Sequence, residues 1–247
     1  MASVTTHYPS LLQPPVTFAR RTPGPDAPED TLAYFRRALA GGATGLACEV
    51  HLTEDAEAVV HDGPVLRVGL RRRPLSSLPA AGVPPSILRL AHLYESCGTD
   101  FHLAATLVDR TAAEVVTAVA RGAGGDAEAT LWLCSPEWQQ AASWRGCSDR
   151  ARLVEVTRLR SLDEGPERRA ARLAAAGIDA IELRDTDWNA GLTTLFHRFG
   201  LLALAGATSH RHRLDAVLDV GVDGVSSDRV DAMVAAMAMA GGERKLS

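Results

Sequence analysis

Basic, acidic and imidazole side chains stand at or near the ends of three short apolar runs in the first quarter of the chain. Arg20 and Arg21 follow the run 16–19, Glu49 lies within the run 45–51, and His61 and Asp62 close the run that begins at 58. Adjacent guanidinium groups suit a phosphate or carboxylate, because each can donate two parallel hydrogen bonds. An imidazole beside a carboxylate suits proton transfer. These residue types could bind a small anion, and His61 is a candidate catalytic group.

Two alternatives stay open for the imidazoles. Glu49, His51 and His61 could together ligate a transition metal, or they could be unrelated polar residues that face the interior of the fold. His61 could be a catalytic imidazole oriented by Asp62, or a histidine whose hydrogen bonds are satisfied where a strand ends. If a metal is bound at all, Glu49 and His61 are its expected ligands.

The elements that would position these residues alternate between short β-type runs and longer runs of helical periodicity, which is typical of βα units around a parallel sheet. Nine strands are predicted, at 16–19, 45–51, 58–61, 101–108, 130–134, 152–156, 180–183, 201–205 and 224–226. The connection 53–57 is too short for a crossover helix, so the third strand is expected to form a hairpin arm with the second. The remaining eight predict an α/β protein with a single (β/α)8 TIM barrel spanning residues 1–247.

Helices are predicted at 31–40, 86–96, 111–120, 166–176, 214–220 and 229–239, the first five closely followed by glycine, as in a left-handed C-terminal cap. The segment 65–85 is rich in proline, glycine and arginine and predicts an inserted excursion over the barrel mouth. Working residues of such barrels lie at the carboxyl ends of the strands. Alternation along the second strand places Ala47, Glu49 and His51 on the interior face. The four tryptophans are expected to pack between strands and helices, with Trp188 best placed to wall a pocket.

Composition restricts the partners and the compartment. The chain has 247 residues, of which 46% are hydrophobic and 23% charged, and a net charge of -4. This balance allows a large core and argues against a nucleic-acid partner. Four widely spaced cysteines form no Cys-x-x-Cys pair, which favours reduced thiols and a cytoplasmic protein. No apolar run approaches the roughly 20 residues that span a bilayer, so no membrane insertion is expected.

Four segments resemble those of the glycerophosphodiester phosphodiesterase family, in the family's order. They are Phe18-Ala19-Arg20-Arg21-Thr22, Ala27-Pro28-Glu29-Asp30-Thr31-Leu32, Gly45-Leu46-Ala47-Cys48-Glu49-Val50-His51-Leu52-Thr53 and Val59-Val60-His61-Asp62. Segments 101–109 and 221–228 resemble two later ones. The resemblance implies a (β/α)8 barrel and metal-assisted hydrolysis of a glycerophosphodiester to glycerol 3-phosphate and an alcohol. Such chemistry needs acidic oxygen ligands for the metal and two histidines that exchange a proton.

At most site positions implied by the resemblance, this chain carries a different residue. The family's two carboxylates on the second strand fall at Ala47 and Glu49, and the acid and lysine of the next barrel strand fall at Thr106 and Val108. The first histidine falls at Arg20, which cannot exchange a proton near neutral pH. An aromatic residue near the seventh barrel strand falls at Gly206. The positions that match without change are Arg21, Glu29, His61 and Asp62.

Loss of two acidic ligands of three is expected to remove most of the affinity for magnesium or calcium. We therefore predict a barrel that binds a small anionic or phosphate-bearing ligand, or a partner, without metal-dependent hydrolysis and without a cofactor. The predicted ligand-binding residues are Arg20, Arg21, Glu29, Glu49, Asp62 and Trp188. In a structural interpretation, the two arginines only neutralise neighbouring carboxylates. The functional alternative is an active phosphodiesterase that binds Mg²⁺ or Ca²⁺ through a rearranged ligand set of Glu49, His61 and Asp62. Asp185 or Asp187 could add a further ligand to this set.

Overall fold

The computed structural model describes residues 8–21, 30–68, 71–108 and 111–243. Its strands are β1 (Val16–Arg20), β2 (Gly45–Leu52), β3 (Ala58–Val60), β4 (Val65–Val68), β5 (Arg71–Pro74), β6 (Leu88–Arg89), β7 (His102–Leu107), β8 (Leu131–Ser135), β9 (Arg152–Val156), β10 (Ala180–Arg184), β11 (Leu202–Gly206) and β12 (Gly224–Ser227). Its helices are α1 (Thr31–Ala40), α2 (Leu90–Cys97), α3 (Ala112–Ala123), α4 (Trp138–Ser143), α5 (Pro166–Ala175), α6 (Ala190–Arg198), α7 (Arg211–Asp219) and α8 (Val230–Glu243).

Eight of the strands lie parallel and close into a barrel. Their order is β1, β2, β7, β8, β9, β10, β11 and β12, and β1 pairs with both β2 and β12. The predicted α/β class and (β/α)8 barrel are confirmed. The predicted hairpin arm is also present, because β3 runs antiparallel to β2 across a short connection.

The excursion predicted at 65–85 contains ordered structure of its own. Strands β4 and β5 form an antiparallel hairpin in which Arg67 lies opposite Arg72. Two short 3-10 helices follow, and the segment buries a small apolar cluster that includes Leu66, Leu75 and Val83. Because this hairpin begins five residues after β3 ends, it lies beside the carboxyl end of β2.

Local sequence explains most helix boundaries and some departures from the prediction. Helix α1 begins where predicted because the Asp30 side chain accepts a hydrogen bond from the amide of Ala33 at 2.6 Å. Helix α2 begins at Leu90 instead of 86, since β6 pairs with β3 just before it. Helix α3 runs through Gly122, and α7 begins at Arg211. Helices α4 and α6 were not predicted. No described helix is long and apolar enough to cross a membrane.

Two apolar layers are separated by the barrel wall. The larger layer lies between strands and helices, and the smaller one fills the barrel itself, including Phe18 and Trp132. The prediction that all four tryptophans pack outside the strands is wrong for Trp132. Its ring meets Phe18 edge to face at 5.5 Å, its Nε1 donates to Nδ1 of His102, and the Arg152 guanidinium lies 4.8 Å from its centroid. These side chains fill the barrel below its mouth.

Asp223 ties the segment before β1 to the barrel. Its Oδ1 accepts hydrogen bonds from the Ser10 hydroxyl and from the amides of Leu11 and Leu12. Its Oδ2 accepts from Nε2 of His197 at 2.8 Å and from the amide of Ala203. Burial opposes ionisation, but these hydrogen bonds, above all the one from His197, hold the pKa of Asp223 below its usual value.

We predict that Asp223→Ala lowers the free energy of unfolding by about 3 kcal/mol, because it leaves several buried donors without an acceptor. Chemical denaturation followed by circular dichroism measures this change. Asp215→Ala is the control, since Asp215 forms an exposed ion pair with Arg211 within one helix and should cost less than about 1 kcal/mol. Equal losses in the two variants would contradict the role assigned to Asp223.

Candidate functional site

A cavity of about 190 Å³ opens at the carboxyl ends of the barrel strands. It is lined by Arg20, Arg21, Ala47, Cys48, Glu49, Asp62, Ala104, Thr106, Cys134, Val156, Glu182 and Ser226. We call it the mouth cavity. The structure therefore brings together four of the predicted site residues, Arg20, Arg21, Glu49 and Asp62. This position is where barrels of this type place their functional groups.

The two arginines have different surroundings. Nη1 of Arg21 lies 3.8 Å from Oδ2 of Asp62, which is a loose ion pair. The guanidinium of Arg20 makes no hydrogen bond or ion pair with any residue that the structure describes. The backbone carbonyl of Arg20 is fixed instead, because it accepts a hydrogen bond from the Tyr34 hydroxyl at 3.0 Å. The structural interpretation, in which both arginines neutralise carboxylates, thus describes Arg21 better than Arg20.

Glu49 is held from two sides. The amide of Gly63 donates to its Oε2 at 3.0 Å, and Nε2 of His51 lies 3.6 Å from the same oxygen. The His51 imidazole is the main cause that lowers the pKa of Glu49, and the Gly63 amide and Arg20 add to it against the effect of burial. Glu49 is therefore a carboxylate at neutral pH. His51 is almost fully buried. Ala47 packs against the apolar cluster inside the barrel, which agrees with the interior face predicted for Ala47, Glu49 and His51.

His61 does not line the mouth cavity. It lies in an adjoining cavity of about 610 Å³ beside the β4–β5 hairpin, where it shares the wall with Asp62, Arg67 and Arg72. Nδ1 of His61 lies 2.7 Å from the carbonyl of Gly63 and donates a hydrogen bond to it, because a carbonyl oxygen can only accept. Asp62 lines both cavities, and burial raises the pKa of its carboxyl while Arg21 opposes this rise. The two cavities therefore meet at Asp62.

Glu182 is the residue that the sequence analysis missed. It lies on β10, lines the mouth cavity, and makes no hydrogen bond with any described residue. Burial raises the pKa of Glu182 to about 7, although Arg20 acts in the opposite direction. A signal was available in the sequence. Glu182 is a lone charge between Ile181 and Leu183, and it has the same strand parity as Ala180, which faces the barrel interior.

The remaining predicted residues lie elsewhere. Trp188 packs in the outer core, where its ring meets Phe196 and its Nε1 donates to the carbonyl of Leu204, so it walls no cavity at the mouth. Asp185 pairs with Arg213 at 3.5 Å, and Asp187 accepts from the amide of Leu159 at 3.0 Å. Glu29 lies outside the described residues.

Three carboxyl groups line the mouth cavity, those of Glu49, Asp62 and Glu182, but among the described residues they form no arrangement that could hold a divalent cation. In the register of β2 and β7, Ala47 lies beside Ala104 and Glu49 beside Thr106, so these positions supply one carboxylate. A guanidinium, that of Arg20, stands in the same cavity. Hard cations need several anionic oxygens at short range. Among the described residues, no group of three His, Cys, Asp or Glu side chains is arranged to hold a metal ion.

We predict that Glu182→Gln changes stability in a pH-dependent way. The pKa of the Glu182 carboxyl is about 7 in the folded protein, against an ordinary value of 4.5. The folded protein therefore binds this proton more tightly than the unfolded chain does. The stabilisation that this tighter proton binding contributes is fully present below about pH 4.5 and is lost as the pH rises through about 7. Glutamine cannot ionise. The free energy of unfolding of the variant should thus exceed that of the wild type by on the order of 2 kcal/mol near pH 8. Near pH 4 this difference should disappear, because the wild-type carboxyl is then protonated in both the folded and the unfolded protein.

Thermal and chemical denaturation at both pH values measure this difference. Glu95→Gln is the control, because the Glu95 side chain is 72% exposed on α2 and should show no such dependence. A stability difference that is the same at both pH values would contradict the raised pKa of Glu182.

Comparison with known proteins gives matches in structure alone. No protein-family model and no curated protein matches the chain. A protein from Silicibacter pomeroyi, provisionally identified as a glycerophosphoryl diester phosphodiesterase, matches with a TM-score of 0.78 and 18% identity over 96% of each chain. The glycerophosphodiester phosphodiesterase of Thermotoga maritima matches with a TM-score of 0.74 and 16% identity over 89% of this chain and 97% of that one.

A phosphodiesterase from Oleispira antarctica, solved in complex with the product sn-glycerol-3-phosphate, matches with a TM-score of 0.73 and 17% identity over 91% of this chain and 97% of its own. The TM-scores establish a shared fold, and at identities this low the matches show the fold alone. The resemblance seen in the sequence segments is thereby confirmed for the architecture: this chain has the (β/α)8 barrel fold of the glycerophosphodiester phosphodiesterases.

Proposed function

We propose that the mouth cavity binds a small phosphate-bearing or other anionic ligand through Arg20 and Arg21, and that the protein does not hydrolyse phosphodiesters by the metal-dependent route. The observation that carries the proposal is the Arg20 guanidinium, which faces the mouth cavity without a hydrogen bond or ion pair among the described residues. A guanidinium without a carboxylate partner is a strong donor to phosphate and carboxylate oxygens.

The size and lining of the cavity support a small ligand. Binding sites for drug-sized molecules occupy roughly 300–1,000 Å³, and the mouth cavity holds about 190 Å³. The hydroxyl side chains of Thr106 and Ser226 also line it and supply further hydrogen-bonding groups. A phosphate monoester of a short polyol or a small carboxylate has the matching charge and dimensions.

The same residues argue against hydrolysis by a bound metal. Arg20 stands where the resemblance places one of two proton-exchanging histidines, and a guanidinium keeps its proton. His61 then lacks the second histidine that the resemblance implies, and it does not itself line the mouth cavity. Anion binding requires neither group. We therefore assign the site to recognition, and no cofactor is part of the proposal.

We predict that sn-glycerol 3-phosphate binds in the presence of a chelator, and that Arg20→Met weakens this binding at least about tenfold, because a charge-assisted hydrogen-bonding group is lost. Isothermal titration calorimetry measures both affinities. Arg150→Met is the matched control, because Arg150 pairs with Asp126 near the amino end of β9, at the opposite end of the barrel. No heat at millimolar ligand would rule out the binding function.

We predict further that the protein releases no glycerol 3-phosphate from glycerophosphocholine in the presence of Mg²⁺, Ca²⁺, Mn²⁺ or Zn²⁺. The alternative function, an active phosphodiesterase with a rearranged ligand set, makes the opposite prediction. Turnover that depends on the metal and disappears in His61→Ala would establish that alternative. An enzyme-coupled assay for glycerol 3-phosphate distinguishes the two outcomes.

A further inference from the structure

We infer that Glu182 binds the ligand as a neutral carboxyl, so that the mouth cavity takes up an anion and a proton together. This inference rests on the proposed function, since it concerns how the same cavity holds its anion. It assigns Glu182 as a ligand-binding residue and specifies the ligand class as an oxyanion with an oxygen free to accept a hydrogen bond from an un-ionised acid.

The position of Glu182 supports this role. The side chain rises from β10 into the barrel interior and lines the same cavity as Arg20. The neighbouring strand leaves room for it at Gly206, where an added Cβ would overlap Oε1 of Glu182. The carboxyl is therefore held in the space above a glycine and is directed along the wall of the cavity. A bulkier residue at Gly206 would displace it.

Both polar groups lack a side-chain partner among the residues that the structure describes. Neither the carboxyl of Glu182 nor the guanidinium of Arg20 forms a hydrogen bond or ion pair with a residue that the structure describes, although each lines the cavity. Arg20 is exposed at the mouth and Glu182 is half-buried, so both side chains can exchange water for a ligand. A ligand oxygen between them would satisfy both, with the guanidinium and the protonated carboxyl each donating.

The charges around the cavity decide which form of Glu182 is compatible with an anion. The ionisable groups that face Glu182 across the cavity are Arg20, Arg21, Cys48, Glu49, Asp62 and Cys134. Burial raises the pKa of Cys48 to about 12 and that of Cys134 well above its usual range, so both thiols are neutral. The two arginines then face Glu49 and Asp62. An ionised Glu182 would make the cavity negative and repel the ligand, whereas a neutral Glu182 leaves it balanced.

The acidity of Glu182 agrees with this reasoning. Burial raises its pKa to about 7, so the free protein holds it partly protonated near neutral pH. An anion should raise this pKa further, because a negative charge beside the carboxyl disfavours its ionisation. The apparent affinity then falls with the protonated fraction as the pH increases. The proton moves from solvent to Glu182, and no bond other than this O–H bond forms.

Sulfate is the probe for the test, because it stays a dianion throughout the pH range while phosphate esters titrate near pH 6. Calorimetric titrations at about pH 8 in two buffers with different ionisation enthalpies count the protons taken up for each sulfate. We expect nearly one proton with the wild type, and an affinity about tenfold weaker near pH 8 than near pH 6. Ionic strength is kept constant with chloride.

Glu182→Gln should bind sulfate with the same affinity at both pH values and take up almost no proton, because the amide donates a hydrogen bond without titrating. Glu155→Gln is the matched control. Burial also raises the pKa of Glu155 to about 7, but its carboxyl contacts Arg169 and does not line the mouth cavity. Arg169 keeps its second carboxylate partner, Glu164, and this control should take up protons like the wild type.

Three outcomes would overturn the inference. Sulfate binding without proton uptake in the wild type would do so, as would uptake that persists in Glu182→Gln. If Glu182→Gln does not fold, difference infrared spectroscopy of the wild type replaces it, and no gain of a protonated carboxyl signal on sulfate addition would count against Glu182. These results leave anion binding intact. Absence of both sulfate and glycerol 3-phosphate binding at pH 6 would instead reject the proposed function together with the inference.

Discussion

The closed ring of eight strands fixes how much space the inward side chains share, and the contents of that space determine the site. Near the amino ends of the strands, Phe18, Trp132 and Arg152 fill it with rings and a guanidinium in mutual contact. Near the carboxyl ends, Ala47 and Ala104 contribute only methyl groups. Because the barrel cannot collapse around small side chains without breaking its strand ladder, the upper space stays open. The mouth cavity is thus a consequence of residue size at a few strand positions.

In the proposed function, charge more than shape distinguishes the mouth cavity from a site for a divalent ion. A metal site collects carboxylates, whose mutual repulsion the cation offsets. Here a fixed positive charge, Arg20, stands among the acids, and the acids respond individually to their surroundings. Glu49 stays ionised because His51 and the Gly63 amide stabilise its charge, while burial keeps Glu182 partly protonated. One cavity therefore contains a permanent cation, a permanent anion and a carboxyl that changes with pH.

Much of the fold was predictable because its determinants are local. Strand periodicity located every barrel strand within a few residues, and the Asp30 cap fixed the start of α1. Helices α4 and α6 were missed for a physical reason. The first has only six residues, and the second contains glycine and threonines of low helix propensity, so tertiary burial of Leu192 and Phe196 stabilises it. The Asn189 side chain caps this helix by accepting a hydrogen bond from the amide of Leu192.

The site was less predictable than the fold, because it depends on which side chains meet across the barrel. The linear order identified Arg20, Arg21, Glu49 and Asp62, whose strand ends converge. It could not reveal that Trp188 packs outward. Nor could it pair Glu182 with Gly206, since they stand on different strands and their relation appears only when β10 and β11 lie side by side.

The pairing of Glu182 with Gly206 involves one of the positions at which the resemblance implies a different residue. The resemblance places an aromatic side chain of that family at Gly206, and such a ring would occupy the space that the Glu182 carboxyl now fills. The two positions are sterically dependent, because a carboxyl directed along this wall requires a residue without a side chain beside it. In the proposed function, the space above Gly206 lets the Glu182 carboxyl reach an anion held by Arg20, whose guanidinium has no described partner.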